Sequence, residues 1–202
     1  MAHEQYPAIR ECLRRGEHEQ AVRLARKEFA RDPRSLVMAA STYFSARYYV
    51  AEAIPLLDTL MPRLQEEIPI ARAEENADHL DVISTILLSR SDRGDFDEDT
   101  SSALRKHAYT AARQGLELTL HSPAYEHTHS LLALTFADIA LRSPAAHTRR
   151  DGWGAISRAV RDARYVKDID QRFRILRKSI YLYFKYGRWW VASWHAPKLL
   201  FG

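Results

Sequence analysis

The sequence predicts an all-α protein, a stack of antiparallel helix pairs closed by a C-terminal helix and an aromatic tail. Two observations carry the helical assignment. Ala, Leu, Arg and Glu are abundant, and all four favour helix. Glycine is scarce, at 7 of 202 residues, and β-branched runs are short. A third observation, helix-length segments separated by Gly- or Pro-marked turns, carries the pairing. At this length, with 46% hydrophobic and 28% charged residues, the chain is one domain or one short repeat array with a real core.

The first element is the plainest. In "RRGEHEQAVRLARKEFARDPRS" Gly16 closes one helix, a polar turn follows, and Ala21 begins a second helix that stops at Asp32-Pro33. A small residue at 21 lets two antiparallel helices approach closely, and proline prevents the second from continuing. This unit resembles the tetratricopeptide repeat, a helix–turn–helix of about 34 residues. Gly16 matches the inter-helix turn, Ala21 the close contact and Asp32-Pro33 the exit. The large aromatic usual early in the first helix is absent, with Gln5 and Tyr6 nearby.

A second unit, "SLVMAASTYFSARYYVAEAIPLLDTLMP", places Ala53 in the close-contact role, 32 residues after Ala21. Pro55 is tolerable only in the first turn of its helix, where no N–H is needed. A third pair with a longer connector spans 77–123, with "RGDF" near its turn and Ser122-Pro123 at its exit. A fourth runs from Ala124 to about Asp168: helix "AYEHTHSLLALTFADIALRS", connector "SPAAHTRRDG", helix "GWGAISRAVRDARYV". The helix "DQRFRILRKSIYLYFKYG" then caps the array. The resemblance is good over 2–62, loose over 77–168 and absent beyond. Residues 1–168 form the repeat domain of about four pairs, and 169–202 the basic, aromatic capping helix and tail. The family resemblance implies a right-handed α-solenoid whose units complete one another's core.

Cys12 is the single cysteine, so no intramolecular disulfide or Cys-based zinc site is expected. No signal peptide is evident, and no apolar run approaches 18 residues. These features predict a cytoplasmic protein, with association at a membrane surface as the open alternative. Net charge is +4, but it is segregated: +3 over 1–50, −9 over 51–100, +3 over 101–150 and +7 over 151–202. A basic, aromatic last quarter attracts an anionic surface, whether lipid, nucleic acid or an acidic protein.

Catalytic and metal chemistry find little support. The loop "DRGDFDED" (Asp92, Asp95, Asp97, Glu98, Asp99) lacks the glycine and distal Glu of a calcium loop, so it is read as a solvated connector with an N-cap at Asp99 or Thr100. In "YEHTHS", His127 and His129 are two apart and cannot ligate from one helix face; no HExxH, GxSxG or glycine-rich phosphate loop is present. "EENADHLD" sets Glu74, Asp78 and Asp81 on one face, read as solvated or as half of a contact with the basic end. No cofactor is expected, and the chain is read as not an enzyme.

The tail is the main candidate. Phe173, Leu176, Ile180, Phe184 and Gly187 form one helical stripe, and Ile175, Tyr181, Leu182 and Tyr183 widen it beyond what one neighbour covers. Arg177, Lys178, Lys185 and Arg188 interleave with it, and Trp189, Trp190, Trp194 and Phe201 follow. Three readings stand: a fold-back cap, docking on a membrane surface or membrane-bound partner, and nucleic-acid binding, the last disfavoured by the acidic middle and the lack of a recognised module. The family resemblance also implies a groove for a peptide or helix of another protein, with Arg10, Arg14, Tyr43 and Arg47 as candidates. The leading function is a non-catalytic adaptor that assembles a complex, docked at a membrane surface or membrane protein through the tail. The alternative is an accessory or regulatory subunit of an enzyme acting on an anionic or lipid-linked substrate.

Overall fold

The computed structural model describes residues 5–31, 53–92, 96–120 and 126–195. The described residues are helical throughout, without strands: α1 (Gln5–Arg14), α2 (His18–Arg31), α3 (Ala53–Ala73), α4 (Ala77–Ser91), α5 (Glu98–Thr119), α6 (Glu126–Leu141), α7 (Ala146–Asp162), α8 (Ile169–Lys185) and α9 (Trp189–His195). One 3₁₀ turn, Ala163–Tyr165, follows α7.

The reversals come from local chemistry. Gly16 takes φ 76°, and Glu17 N–H reaches back to the Cys12 carbonyl at 2.9 Å, the left-handed helix terminator that glycine favours. Gly187 repeats it with φ 78° and a bond from Arg188 N–H to the Tyr183 carbonyl at 2.8 Å. Glu75 does the same after α3 at φ 52°, a strained choice for a residue with a Cβ. Five residues after each terminal glycine stands a fully buried alanine, Ala21 and Ala192. The α1–α2 and α8–α9 turns therefore share one construction.

Packing follows the chain. α4 and α5 form a pair, as do α6 and α7; α6 also lies on α4 and α5, and α8 on α6 and α7. The contacts between α4 and α6 keep a constant offset: Asp78 meets Thr128, Thr85 meets Thr135 and Asp92 meets Arg142, each 50 residues apart. Only parallel helices give such a series. α6 and α8 repeat it, with Leu131 to Lys178 and Asp138 to Lys185 both 47 apart. α4, α6 and α8 thus run side by side in one direction. One core lies where α3, α4 and α5 meet, around Leu64, Leu80, Ile83 and Leu104. A second joins α6, α7, α8 and α9 through Leu134, Ile156, Ile175 and Leu182.

Three expected boundaries move. α3 does not stop at Pro62 but continues through Pro62 and Pro69. Both prolines lie on its exposed side, while Met61, Leu64, Ile68 and Ala71 are buried opposite. Packing along that face outweighs the roughly 3 kcal/mol that proline costs inside a helix. α7 starts at Ala146 rather than Gly152, because Arg149 ties its first turn to the carbonyls of Ser143 (2.9 Å) and Pro144 (2.5 Å). The N-cap of α5 is Asp97, whose carboxylate accepts from Thr100 N–H at 2.7 Å, not Asp99 or Thr100.

Candidate functional site

Two features concentrate chemistry, a polar seam between parallel helices and an apolar outer face at the C-terminal end. The seam uses residues seven apart on α4, α6 and α8, positions that share one side of a helix. At its upper end Asp138 is 7% exposed and accepts from Lys185 Nζ (2.9 Å), Arg142 Nη2 (3.1 Å) and Tyr186 Oη (2.5 Å). Arg142 also forms a two-pronged pair with Asp92, one arm at 2.6 Å, and Lys185 approaches Asp92 at 3.4 Å. Two carboxylates and two cations from three helices are consumed by one another.

Protonation equilibria follow. Burial pushes the Asp92 carboxyl upward, but the hydrogen bond and charge of Arg142, with Lys185, outweigh it and hold the group below the usual carboxylate range. Burial and the neighbouring Asp138 raise the Tyr186 phenol above its ordinary value. A lowered folded-state pKa means that Asp92 contributes stability above its unfolded value of about 4 and loses it as pH falls through the folded value. Urea unfolding at pH 7, 5, 4 and 3 should therefore show Asp92→Asn losing less stability on acidification than the native protein. Parallel pH profiles would refute the linkage.

Midway along the seam, Lys178 donates to Thr135 Oγ1 at 2.7 Å and is pushed below its usual range by burial. Burial likewise raises the Asp81 carboxyl, with Lys178 and Arg174 acting against the shift. Lys178 and Lys185, expected as docking cations, are thus turned into the fold: the acidic stretch around α4 attracts the basic stretch of α8 within the chain. The face read as Glu74, Asp78 and Asp81 divides: Asp81 is buried near the charges of Lys178 and Arg174, whereas Glu74 and Asp78 are exposed and Asp78 accepts from Thr128 of α6.

Other expected residues fall as follows. Arg14 is held by Glu11 through Nε (2.8 Å) and Nη2 (2.6 Å), and both side chains remain solvent-accessible. Arg10 lies on α1. Tyr43, Arg47 and Phe201 lie outside the described residues. His129 Nδ1 meets Thr119 Oγ1 at 2.8 Å, a bond within the fold. Among the described residues no group of three or more His, Cys, Asp or Glu could hold a metal ion. No described helix is long and apolar enough to cross a membrane.

The second feature is the outer face of α8 with α9. Burial on α8 falls on Ile175, Leu176, Ser179, Leu182 and Tyr183. Phe173 and Phe184, expected in a stripe with Leu176, sit outside it and are 45% and 55% exposed. With Ile169 and Tyr181 they make one exposed apolar arc, and exposed Arg177 stands among them. α9 packs on α8 through Val191 and Ala192, leaving Trp189 and Trp190 each 63% exposed. Trp194 lies on α9. Arg188 covers the ring of Trp153 at 4.0 Å, and that ring stacks on Tyr183 at 5.8 Å. Sequence reading passed over Trp153 because it stands apart from the C-terminal tryptophan cluster.

No protein-family model, curated protein or solved structure matches this chain.

Proposed function

We propose that this protein is a non-catalytic interaction scaffold, a tetratricopeptide-like stack of helix pairs that docks another protein on the outer face of α8 and α9. The single observation behind it is the uncovered apolar arc on the last pair. Ile169, Phe173, Tyr181 and Phe184 share one side of α8, Trp189 and Trp190 begin α9, and all six are between 45% and 63% exposed. Isolated exposed apolar residues are ordinary, but a contiguous aromatic group on one face is how interaction sites are built.

The repeat-like reading draws on three features. α4, α6 and α8 lie parallel at offsets of 50 and 47 residues. α5 packs on both α4 and α6, and α7 on both α6 and α8. The Gly187–Ala192 turn reproduces the Gly16–Ala21 turn, so α8 and α9 resemble a further helix pair rather than a simple cap. In such an array each pair's outer face is covered by the next, and α8 presents a face of that kind to solvent. The polar seam pairs Asp92, Asp138, Arg142 and Lys185 with one another, while Asp81 Oδ1 on α4 and Ser130 Oγ on α6 are buried without a hydrogen-bond partner among the described residues.

Affinity capture from the protein's own cells should recover a defined partner with the native chain and lose it with Phe173→Asp/Phe184→Asp. Both substitutions fall at exposed positions, so circular dichroism and the urea midpoint should stay unchanged. Equal recovery by both chains, or no partner with either, would refute docking on this face.

A further inference from the structure

The proposed docking face is specific enough to say what it takes. We infer that its occupant is an acidic amphipathic helix of a partner protein, lying along α8 much as α8 lies along α6. This rests on the reading of that face as a docking surface.

Shape comes first. The exposed arc runs from Ile169 to Phe184, about 22 Å at 1.5 Å per residue. It is a ridge one helix wide, bounded on one side by the buried residues Leu176 and Tyr183 and on the other by the seam residues Lys178 and Lys185. A ridge of that width and length fits a single helix of about four turns. The internal junction between α6 and α8 gives the template: an apolar contact with a carboxylate, Asp138, set against a cation, Lys185.

Charge gives the partner's sign. Arg177 stands in the middle of the arc and Arg188 at its end, both exposed. Asp170 lies only at the first turn of α8, and Asp168 is occupied in capping that helix. A helix covering Phe173 and Phe184 must pass over Arg177. It must supply a carboxylate there, because desolvating an unpaired guanidinium is costly. A second copy of this chain fits poorly. An antiparallel self-pairing that covers the whole arc centres on residues 176 and 177 and sets Arg177 against its own counterpart.

A lipid surface is also less well served than the sequence implied. Of the six cations from Arg172 to Arg188, Lys178 and Lys185 are committed to partners within the fold. Polybasic attraction scales with charges presented to the headgroups, at about 1 kcal/mol each, so the internal pairs weaken it.

The test uses the full chain and three probes. One is a fluorescein-labelled amphipathic helix with a leucine face and a glutamate face; the second is its lysine counterpart; the third is vesicles of phosphatidylcholine with phosphatidylserine. Anisotropy should show the glutamate helix binding and weakening as salt is added. Arg177→Glu should lower its affinity about tenfold or more and favour the lysine helix. Phe173→Ala/Phe184→Ala should abolish binding of both peptides. Preference for the lysine helix, stronger binding to vesicles, concentration-dependent dimerisation through the arc, or indifference to Arg177→Glu would overturn the acidic-helix assignment while leaving a docking face in place. No binding of any probe, together with no partner recovered in affinity capture, would remove both.

Discussion

Replacing Asp138 with alanine should lower folding stability by about 3 kcal/mol, because it removes one of the two carboxylates that offset two half-buried cations where three helices meet. Asp138 is 7% exposed and accepts from Arg142, Lys185 and Tyr186. Removing it leaves Arg142 with Asp92 as its one carboxylate, beside its bonds to the residue 138 carbonyl and the Tyr186 hydroxyl, and Lys185 with a 3.4 Å approach to Asp92. The low end of the range for broken buried pairs applies, since the Arg142 and Lys185 side chains retain 23% and 25% of their accessibility. Asp138→Asn keeps an acceptor for Tyr186 but not the charge, and should cost about half as much. Urea unfolding of the single and double variants with Lys185→Met closes a cycle, and a coupling above about 1 kcal/mol is expected. Hydrogen exchange should locate the damage on α8, whose upper end is tied to α6 by this cluster. A loss below 1 kcal/mol for the alanine variant would show that the cluster is not a fastening.

That cluster also shows what the sequence made legible. Helix positions, the Gly16 turn and the pairing of α4 with α5 and α6 with α7 follow from local patterns: apolar spacing, a glycine that tolerates positive φ, and short connectors. The charge segregation was equally visible, but its destination was not. An acidic stretch at −9 and a basic stretch at +7 can meet each other or meet external partners, and composition is silent on which. Only the parallel packing of α4, α6 and α8 brings Asp92, Asp138 and Lys185 together across 93 residues of chain. The apolar face of α8 was misassigned for a related reason. Phe173, Leu176, Ile180 and Phe184 satisfy helical spacing, yet so does the neighbouring set Ile175, Leu176, Ser179, Leu182 and Tyr183. The second is the buried one. A side chain as small and polar as Ser179 hid that stripe; its hydroxyl is satisfied by the Ile175 carbonyl at 2.9 Å, so burying it costs little. Gly187 was placed in the helical stripe rather than at a turn, and Ala192 was passed over because the adjacent tryptophans drew the segment towards a docking tail.

Gly152→Leu should destabilise the fold by about 3 kcal/mol, whereas Gly152→Ala should be close to neutral. The α6–α7 crossing is lined by small residues: Ala133, Ala137 and Ala140 on α6, and Gly152, Ala155 and Ala159 on α7 are all buried. A Cβ placed at 152 would lie 3.1 Å from Leu141 Cγ, 3.2 Å from the Ala137 carbonyl oxygen and 3.3 Å from Ala140 Cβ. These approaches are tight but leave alanine a position after a shift of a few tenths of an ångström. Alanine also gains about 1 kcal/mol of helix propensity over glycine, offsetting the crowding. Leucine adds three further carbons with no space to enter, and one of the surfaces it meets is backbone that cannot rotate away. The helices must part, which exposes Leu134 and Ile156 in the core they share. Because α8 rests on both α6 and α7, the separation should also loosen the proposed docking face. Urea midpoints of the two variants measure the first effect, and anisotropy with the glutamate helix measures the second. If the leucine variant unfolds at the same urea concentration as the native chain, α6 and α7 are not held at this distance and the close crossing described here is wrong.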